Sequence, residues 1–447
     1  MALRNPDEPV FLQQFEVKGY KNLTRRMTFG PLGRINVIHG ENNVGKSNLL
    51  EALDLFFKLL SYAGTILLGT SQRTLPESFQ TDIGYSVSDI FNFAEPLPIG
   101  LTGHFSVPSV RLREAGLELS LPSDKISIAL TLKRTPDAVE YWVNQFGPDE
   151  SMDWRSLNFA SKLVEFLARS SVPQTGRVSD RFVLLKLHRR ISGVDISTPT
   201  LQVVPQSLRD ALFDIRQSKA AAEARRWDLF SQAMTRFAPI LGPGQFDTAF
   251  DRESGQADLV FDSGDMRAPV DVEGSGVQQL VALLGQLLIT PATLAGIEEP
   301  ELNLRYTLQK QLLAAFEDIV SSEYGPEQLF LSSHSPAFEA EGHFFAMELE
   351  DGVPVLRRVP RARAREFTGM REEEDRYPQM HARQPEPACY VSSEGLILLP
   401  DDVRRKLKLE HGGGVSFIPN KQTGRFELWT TDEIEEWLAG AQADDAG

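Results

Sequence analysis

Runs of apolar residues at two different spacings divide the first part of the chain into strands and a helix. The run Arg34–His39 is compact and β-branched, which predicts a buried strand. Leucine and phenylalanine residues recur at helical spacing between Asn48 and Leu60, so one face of a helix is apolar there. A glycine-rich segment lies between the two. The predicted order is therefore strand, glycine loop, helix.

The same two spacings recur in later parts of the chain. Ile126–Leu132 alternates as a strand does, and Ser275–Ile289 has the apolar content of a buried helix. Further strands are predicted at Leu259–Phe261, Val270–Val272, Thr293–Ile297 and Gln328–Ser332, further helices at Ala220–Phe237 and Leu302–Ile319, and a hairpin at Phe344–Leu349 and Val353–Val359. This mixture of strands and helices indicates the α/β class.

The composition is that of an ordinary globular protein. The chain has 447 residues, of which 41% are hydrophobic and 24% are charged. It contains neither an apolar run long enough to span a membrane nor an N-terminal secretion signal, so we expect a cytoplasmic protein without a membrane partner. The single cysteine, Cys389, cannot form an internal disulfide, in agreement with a reducing compartment.

The charge distribution argues against nucleic-acid binding over the whole surface. The formal net charge is −16, so the overall field repels a phosphate backbone, and any nucleic-acid contact needs a local basic patch. Arginines cluster at Arg357, Arg358, Arg361, Arg363, Arg365 and Arg371. This stretch is either a solvated linker or a binding arm, and its proline and alanine neighbours favour the linker.

The glycine loop has the spacing of a phosphate-binding P-loop. Residues 40–47 run Gly-Glu-Asn-Asn-Val-Gly-Lys-Ser and match the pattern at every fixed position. Backbone N–H groups of the loop and of the helix start can surround phosphate oxygens, while Lys46 neutralises their charge and Ser47 ligates Mg²⁺. The residues expected to bind nucleotide are Asn42, Asn43, Gly45, Lys46, Ser47 and Asn48.

Acidic residues and a histidine follow two later strands and provide the groups that hydrolysis needs. Glu298 and Glu299 come directly after an apolar strand. Because neighbouring side chains of a strand point to opposite sides, we assign Glu298 to Mg²⁺ and Glu299 to the attacking water. His334 follows the next strand, where it can donate to the γ-phosphate of ATP and respond to its loss.

A second helix start with phosphate-binding character lies near residue 275. Ser275, Gly276 and Gln278 open the predicted buried helix, and small residues there expose backbone N–H groups. Helix capping by the serine alone is the alternative interpretation.

Together these four motifs resemble those of ABC-type AAA ATPases related to the SMC, RecF and OLD-like families. The similarity is greatest to the subgroup in which the sequence EEPE is followed by SSHSP. It identifies Ser275, Gly276 and Gln278 with that family's signature and Phe15–Leu23 with its first strand and turn. It implies an ABC-type P-loop head in which the signature of one subunit contacts ATP held by the other. ATP would then close a homodimer or a higher even oligomer.

The departures from the family pattern concern the loops and the attached modules. The family usually continues EEPE with ELxLHP, whereas this chain has Arg305 and Tyr306 at the last two positions. Asp89–Asn92 is a weak candidate for the glutamine loop. Neither a long coiled-coil pattern nor a Toprim-like nuclease segment is present, so we expect a separate protein effector as partner, with nucleic acid as a further possibility.

The same resemblance predicts how the chain divides into domains. Residues 1–110 and 251–360 form the two parts of the ATPase head, and residues 111–250 are a mixed insertion or arm. Residues 361–387 are a linker, and residues 388–447 form a small β-rich domain.

The C-terminal segment resembles the swapped-hairpin domains of the AbrB and MazE type. Tyr390–Ile418 follows their order of strand, glycine turn, strand, short helix, glycine and strand. Such domains intertwine as dimers, and many bind DNA through arginines near the first turn. Here Leu396 occupies the usual arginine position and acidic residues outnumber basic ones, so dimerisation or partner docking is at least as well supported as DNA binding.

Two functions are compatible with these motifs. The first is an ATPase whose nucleotide-driven dimerisation controls a nucleic-acid transaction or an anti-phage defence effector. The alternative is a transcriptional regulator that binds DNA through the AbrB-like tail under the control of ATP. A transporter ATPase is disfavoured because EEPE and SSHSP are typical of the non-transporter branch.

Overall fold

The computed structural model has two compact units, Met1–Ala364 and Arg365–Gly447. The structure describes residues 3–6, 8–63, 73–75, 87–92, 97–117, 123–135, 138–147, 160–171, 178–186, 204–252, 255–272, 274–290, 292–302, 304, 306–335, 337–338, 343–359, 390–391, 397–398, 407, 415–420, 425–430 and 434. Within these ranges, no helix combines the length and the apolar character that a bilayer crossing requires.

Strands and helices alternate through the first unit. Its strands are β1 Leu12–Lys18, β2 Met27–Phe29, β3 Ile35–His39, β4 Arg73–Thr74, β5 Ile99–Ser106, β6 Lys125–Arg134, β7 Val139–Gly147, β8 Arg169–Ser171, β9 Val178–Asp180, β10 Phe182–Lys186, β11 Gln245–Asp251, β12 Gln256–Asp262, β13 Arg267–Pro269, β14 Leu294–Glu298, β15 Gln328–Ser333, β16 Phe344–Glu350 and β17 Val353–Val359. Its helices are α1 Lys46–Ala63, α2 Val87–Ile90, α3 Ser109–Glu114, α4 Ala160–Ala168, α5 Gln206–Gln217, α6 Ala221–Thr235, α7 Ala238–Leu241, α8 Ser275–Ile289 and α9 Tyr306–Ser321.

A mostly parallel sheet forms the centre of this unit. Its strand order is β10-β14-β15-β3-β16-β17, and only β17 runs antiparallel to its neighbour. The strand β3, from the beginning of the chain, lies between two strands from its last third. Parallel strands of this kind are buried on both faces, which explains why their sequences are almost continuously apolar.

The two faces of the parallel sheet pack into two different cores. Ile38 and Phe330 lie in the core that also contains the apolar face of α1. Val37 and Leu331, one position away on the same strands, lie in the core that contains α8 and α9. Because alternate side chains of a strand point to opposite faces, α1 and α8 lie on opposite sides of the sheet.

An antiparallel sheet covers the other side of α1. Its order is β2-β1-β5-β6-β7-β4, and the rings of Phe15 and Phe56 join it to the helix with centroids 5.6 Å apart. Strands β6 and β7 belong to this sheet and β10 belongs to the parallel sheet. The segment 111–250, expected from the sequence as an insertion or arm, therefore contributes strands to both sheets of the head.

Two sequence predictions differ from the structure in their local detail. Val270–Val272, predicted as a strand, is a 3₁₀ helix, because the edge strand β13 ends at Pro269, which has no N–H for further pairing. The helix predicted from Leu302 begins at Tyr306. The preceding residues form tight turns instead, in which the N–H groups of Leu302 and Leu304 donate to carbonyl oxygens three positions earlier.

The described part of the second unit consists of two hairpins. Strand β18, Tyr390–Val391, pairs with β19, Ile397–Leu398, and β20, Val415–Asn420, pairs with β21, Arg425–Thr430, both antiparallel. The predicted linker 361–387, the arginines from Arg361 onward, Cys389, Leu396 and the predicted short helix (apart from Leu407) lie outside the described residues. The AbrB-like assignment stays a prediction.

Candidate functional site

Three of the four motifs meet at the carboxyl-terminal edge of the parallel sheet. The loop 40–45 follows β3, the acidic segment 298–301 begins at the last residue of β14, and His334 directly follows β15. Since these strands are parallel and adjacent, their ends lie side by side. Such an edge is where open α/β sheets bind ligands.

The backbone of the glycine loop needs its glycines for two reasons. A Cβ atom at Gly40 would lie 2.3 Å from the carbonyl oxygen of Met347, closer than any side chain can come. Gly45 has φ +111° and Asn43 has φ +65°, so the loop turns through the left-handed region at two positions. The exposed Asn42 and Asn43 lie at its outer turn. Successive turns of this type form an anion-binding concavity of N–H groups.

Lys46 is a buried cation directly below this loop. Its Nζ atom donates hydrogen bonds to the carbonyl oxygens of Gly40, at 2.6 Å, and of Glu41, at 2.7 Å. Burial is the main influence on its pKa and lowers it, while the nearby carboxylates of Glu299, Glu301 and Glu41 act in the opposite direction. A cation in this position gains by pairing with a phosphate anion.

The beginning of α1 provides an oxygen ligand and an anchoring contact. Ser47, half-buried, is its second residue. Asn48 donates through Nδ2 to Oδ1 of Asn22 at 2.8 Å, and a Cβ at Gly45 would lie 3.0 Å from the same oxygen. Asn48, expected at the nucleotide, thus also fixes the helix start to the turn after β1. The sequence motifs assign no role to Asn22, although it lies in the segment Phe15–Leu23 that resembles the family's first strand and turn.

The hydroxyl of Ser47 and the carboxylate of Glu298, the two groups expected at Mg²⁺, are oxygen donors of the kind that this ion prefers. Mg²⁺ is commonly held by one or two protein oxygens together with phosphates and water. Among the described residues, no group of three histidine, cysteine or acidic side chains could hold a metal ion by itself. Metal binding here would therefore depend on the phosphates.

Glu299 adopts an unusual backbone conformation immediately after β14. Its φ is +47°, in the left-handed region that costs a non-glycine residue about 1 kcal/mol. Its N–H donates to the carbonyl oxygen of Ser332 at 2.9 Å, and its carbonyl accepts from Leu302 at 3.1 Å. The chain therefore leaves the extended conformation of β14 at Glu299.

Glu301 is a site residue that the sequence analysis did not single out. Its buried Oε1 accepts hydrogen bonds from the hydroxyl of Ser333 at 2.7 Å and from the backbone N–H of His334 at 2.8 Å. The same oxygen lies 3.2 Å from Nδ1 of the half-exposed His334 ring. Its Oε2 is also buried and accepts no hydrogen bond from the described residues. The sequence does contain a signal for this residue, because Glu301 is the third acidic residue of the segment Glu-Glu-Pro-Glu.

A second histidine fixes the backbone of His334 from the other side. Nε2 of His39 lies 3.2 Å from the carbonyl oxygen of His334, and because that oxygen only accepts, the ring nitrogen is the donor. The His39 ring stacks on Phe344 with centroids 5.5 Å apart. Both backbone polar groups of His334 are thus held by side chains of the site.

The fourth motif lies on the opposite face of the sheet. Ser275 and Gly276 open α8, whose N-cap is the exposed Gly274 without a side-chain cap. Gln278 donates through Nε2 to the carbonyl oxygen of Asp271 at 3.0 Å. Since α8 and α1 pack on different faces, the structure does not bring this motif together with the loop 40–45 in one chain.

The segment proposed for the glutamine loop lies against the turn that follows β1. Asn92 donates through Nδ2 to the carbonyl oxygen of Lys21 at 2.8 Å, and the N–H of Lys21 donates to Ile90 at 3.1 Å. Its assignment stays a prediction.

Comparison with known proteins gives one family and several solved structures. A family model described as "AAA domain, putative AbiEii toxin, Type IV TA system" matches residues 35–340. The crystal structure of an SMC head bound to the C-winged helix domain of ScpA aligns with a TM-score of 0.48 at 18% identity, over 78% of this chain and 98% of that chain.

Two further solved structures align at lower scores. The SMC head domain from Thermotoga maritima has a TM-score of 0.44 at 14% identity, over 78% of this chain and 99% of that chain. The recombination mediator protein RecF has a TM-score of 0.37 at 13% identity, over 79% of this chain and 100% of that chain. A comparison with proteins of curated function finds no match.

Proposed function

Because the chain belongs to this family of AAA domains, we propose that it binds ATP with Mg²⁺ and hydrolyses it. The observation that supports this most is the meeting of the loop 40–45, the acids after β14 and His334 at one edge of the parallel sheet. A phosphate-binding loop alone would support only nucleotide binding. The acids and the histidine beside it add the groups that hydrolysis requires.

Each side chain of the site has a distinct part in this reaction. Lys46 neutralises the β- and γ-phosphates. Ser47 and Glu298 would hold Mg²⁺, which would supply positive charge to offset that of the departing ADP. Glu299 orients and polarises the attacking water. His334, with its backbone fixed by Glu301 and His39, donates to the γ-phosphate.

We further propose that two copies share each ATP. The exposed start of α8 lies on the opposite face of the sheet from Lys46, so Ser275, Gly276 and Gln278 can serve a nucleotide held by another copy. ATP then shifts the population towards a dimer, and hydrolysis reverses the shift. This cycle would control a separate effector or a nucleic-acid transaction. The family description names a toxin of a type IV system, which supports an effector-linked role.

The substitution Glu299→Gln tests this mechanism. It keeps the shape of the side chain but removes the carboxylate that polarises water, so we expect turnover to fall on the order of a hundredfold while ATP binding persists. The protein should then accumulate as an ATP-bound dimer. Light scattering coupled to size-exclusion chromatography, with and without ATP, measures this directly.

Lys46→Ala is the matched control, since it should abolish ATP binding and leave the monomer unchanged at any ATP concentration. If the Glu299→Gln protein binds ATP and stays monomeric, the shared-nucleotide mechanism is wrong. If it neither binds nor hydrolyses ATP while folded, the nucleotide assignment itself fails.

The alternative of a DNA-binding regulator finds no support in the family match. That match ends at residue 340, whereas the alternative depends on residues 388–447. Most of the residues on which the AbrB-like interpretation rests lie outside the described ranges.

A further inference from the structure

A row of side chains crosses the parallel sheet at the level of the proposed metal-binding acid. Strand pairing places Lys186 of β10 beside Glu298 of β14, and Glu298 beside Ser332 of β15. Residues paired across neighbouring strands project to the same face, which here is the face covered by α1. Lys186 and Glu298 therefore share the space between the sheet and α1.

A buried carboxylate of α1 holds Lys186 in this place. Glu51 is fully buried and accepts hydrogen bonds from Nζ of Lys186 at 2.5 Å and from Nζ of Lys21. Burial alone would raise the pKa of Glu51, yet its bonds to the two lysines bring that pKa below its ordinary value. A buried carboxylate is costly unless it is paired in this way, so Glu51 restricts the movement of both ammonium groups.

The ammonium group of Lys186 also reaches the site itself. Its Nζ lies 3.8 Å from Oε1 of Glu298, and its side chain is largely buried. Two unit charges at such a distance interact strongly when water is mostly excluded. The carboxylate that Mg²⁺ would use is thus already close to a fixed positive charge.

We infer that Lys186 is a positioning residue that acts as a built-in counter-cation of Glu298 and makes metal binding at this site depend on nucleotide phosphates. This inference rests on the proposed function. A divalent cation that approaches Glu298 without nucleotide meets the ammonium of Lys186. When ATP is bound, its negatively charged phosphates offset the charge of the divalent cation and that of Lys186. The metal therefore enters together with the nucleotide. Lys186 itself contacts neither water nor phosphate in this scheme.

Binding of Mn²⁺ in place of Mg²⁺ tests the inference without reference to turnover. Electron paramagnetic resonance measures free Mn²⁺ during titration of the full-length protein, with and without a slowly hydrolysed ATP analogue. For Lys186→Met we expect Mn²⁺ to bind about tenfold more tightly than to wild type when nucleotide is absent. With the analogue present the change should be smaller, because Lys186 no longer attracts the phosphates either.

Three variants separate this effect from a loss of structure. Lys186→Arg keeps the charge and should leave Mn²⁺ affinity within about twofold of wild type. Lys21→Met removes the other partner of Glu51 and should also stay within about twofold, since the inferred effect belongs to the charge beside Glu298. Glu298→Gln should abolish Mn²⁺ binding and leave the signal of free Mn²⁺ undiminished, which would show that the metal binds at this site.

The double variant Glu51→Gln with Lys186→Met covers the case in which Lys186→Met alone does not fold. It removes the buried negative charge of Glu51 together with the positive charge of Lys186. It should bind Mn²⁺ as tightly as Lys186→Met. If either variant is folded, binds a fluorescent ATP analogue and has the Mn²⁺ affinity of wild type without nucleotide, the inference is wrong while the proposed function stands. If the wild-type protein binds no ATP analogue at all, the proposed function fails and the inference fails with it.

Discussion

His39 shows how a single side chain supports the site without taking part in the chemistry. Its ring is stacked on Phe344 and donates to the carbonyl oxygen of His334. Burial lowers the pKa of His39 to about 4, and the positive charge of Lys46 acts in the same direction. The ring is therefore neutral near pH 7, so it positions the His334 loop without adding charge beside Lys46.

The pKa of His39 predicts a pH-dependent stability. The unfolded chain protonates this histidine near 6.5 and the folded chain near 4, so between these values the unfolded state binds more protons. Stability should fall as the pH decreases through this window. For each pH unit, the free energy of unfolding should decrease by about 1 kcal/mol more in wild type than in His39→Gln. Urea unfolding from about pH 8 to pH 5 measures the difference. Curves that run parallel over the whole range would contradict the assignment.

The sequence predicted the site best where spacing along the chain determines chemistry. Lys46 and Ser47 follow from the P-loop pattern, and Glu298 and Glu299 from their place at the end of an apolar strand. Glu301 could not be assigned in the same way. Its partners are the N–H and hydroxyl groups of the next strand end, some 30 residues later, and only the folded chain brings them together.

At the scale of elements, α5 is tied to the segment that precedes helix α8. Arg209 of α5 is buried and pairs with Asp258, at 2.6 Å, and with Asp271. Asp271 lies in the 3₁₀ helix Val270–Val272, and its carbonyl oxygen accepts from Gln278 of α8. A chain of polar contacts thus joins α5 to the start of α8. Residue spacing could not reveal it, since these residues come from three separate segments.

Replacement of Arg209 by methionine should weaken both the fold and the response to ATP. The change removes a buried guanidinium from the half-buried Asp258 and the exposed Asp271, so we expect a loss of about 1–3 kcal/mol in the free energy of unfolding. The start of α8 would lose this support, so the ATP-induced dimerisation that we propose should weaken. Denaturant titration and light scattering of the same preparation measure the two effects.

Arg216→Met is the matched control on the same helix. Arg216 makes an exposed pair with Asp247, so its loss should cost less than about 1 kcal/mol and leave dimerisation unchanged. If the two substitutions changed stability and dimerisation equally, the contacts of Arg209 would not specifically support the start of α8.

At the scale of the whole molecule, the first unit should be able to fold by itself. Both cores of the described residues end at Val359 or before it, and the unit boundary falls at Ala364. We expect residues 1–364 to bind ATP and to unfold within about 0.5 kcal/mol of the full-length protein.

Calorimetry and sedimentation of the two forms, compared at equal concentration, test this prediction. Loss of ATP binding on truncation would show instead that residues 365–447 contribute to the nucleotide site or to its stability.

The position of β3 in the parallel sheet has a consequence for how the protein is made. The strand leaves the ribosome about 300 residues before its two neighbours, β15 and β16. Until then the backbone of β3 has no neighbouring strand and its apolar side chains are not covered. A nascent chain in this state is prone to aggregation and is bound by chaperones. A chain that ends before residue 328 lacks both neighbours of β3 and also His334, so it cannot assemble the candidate site.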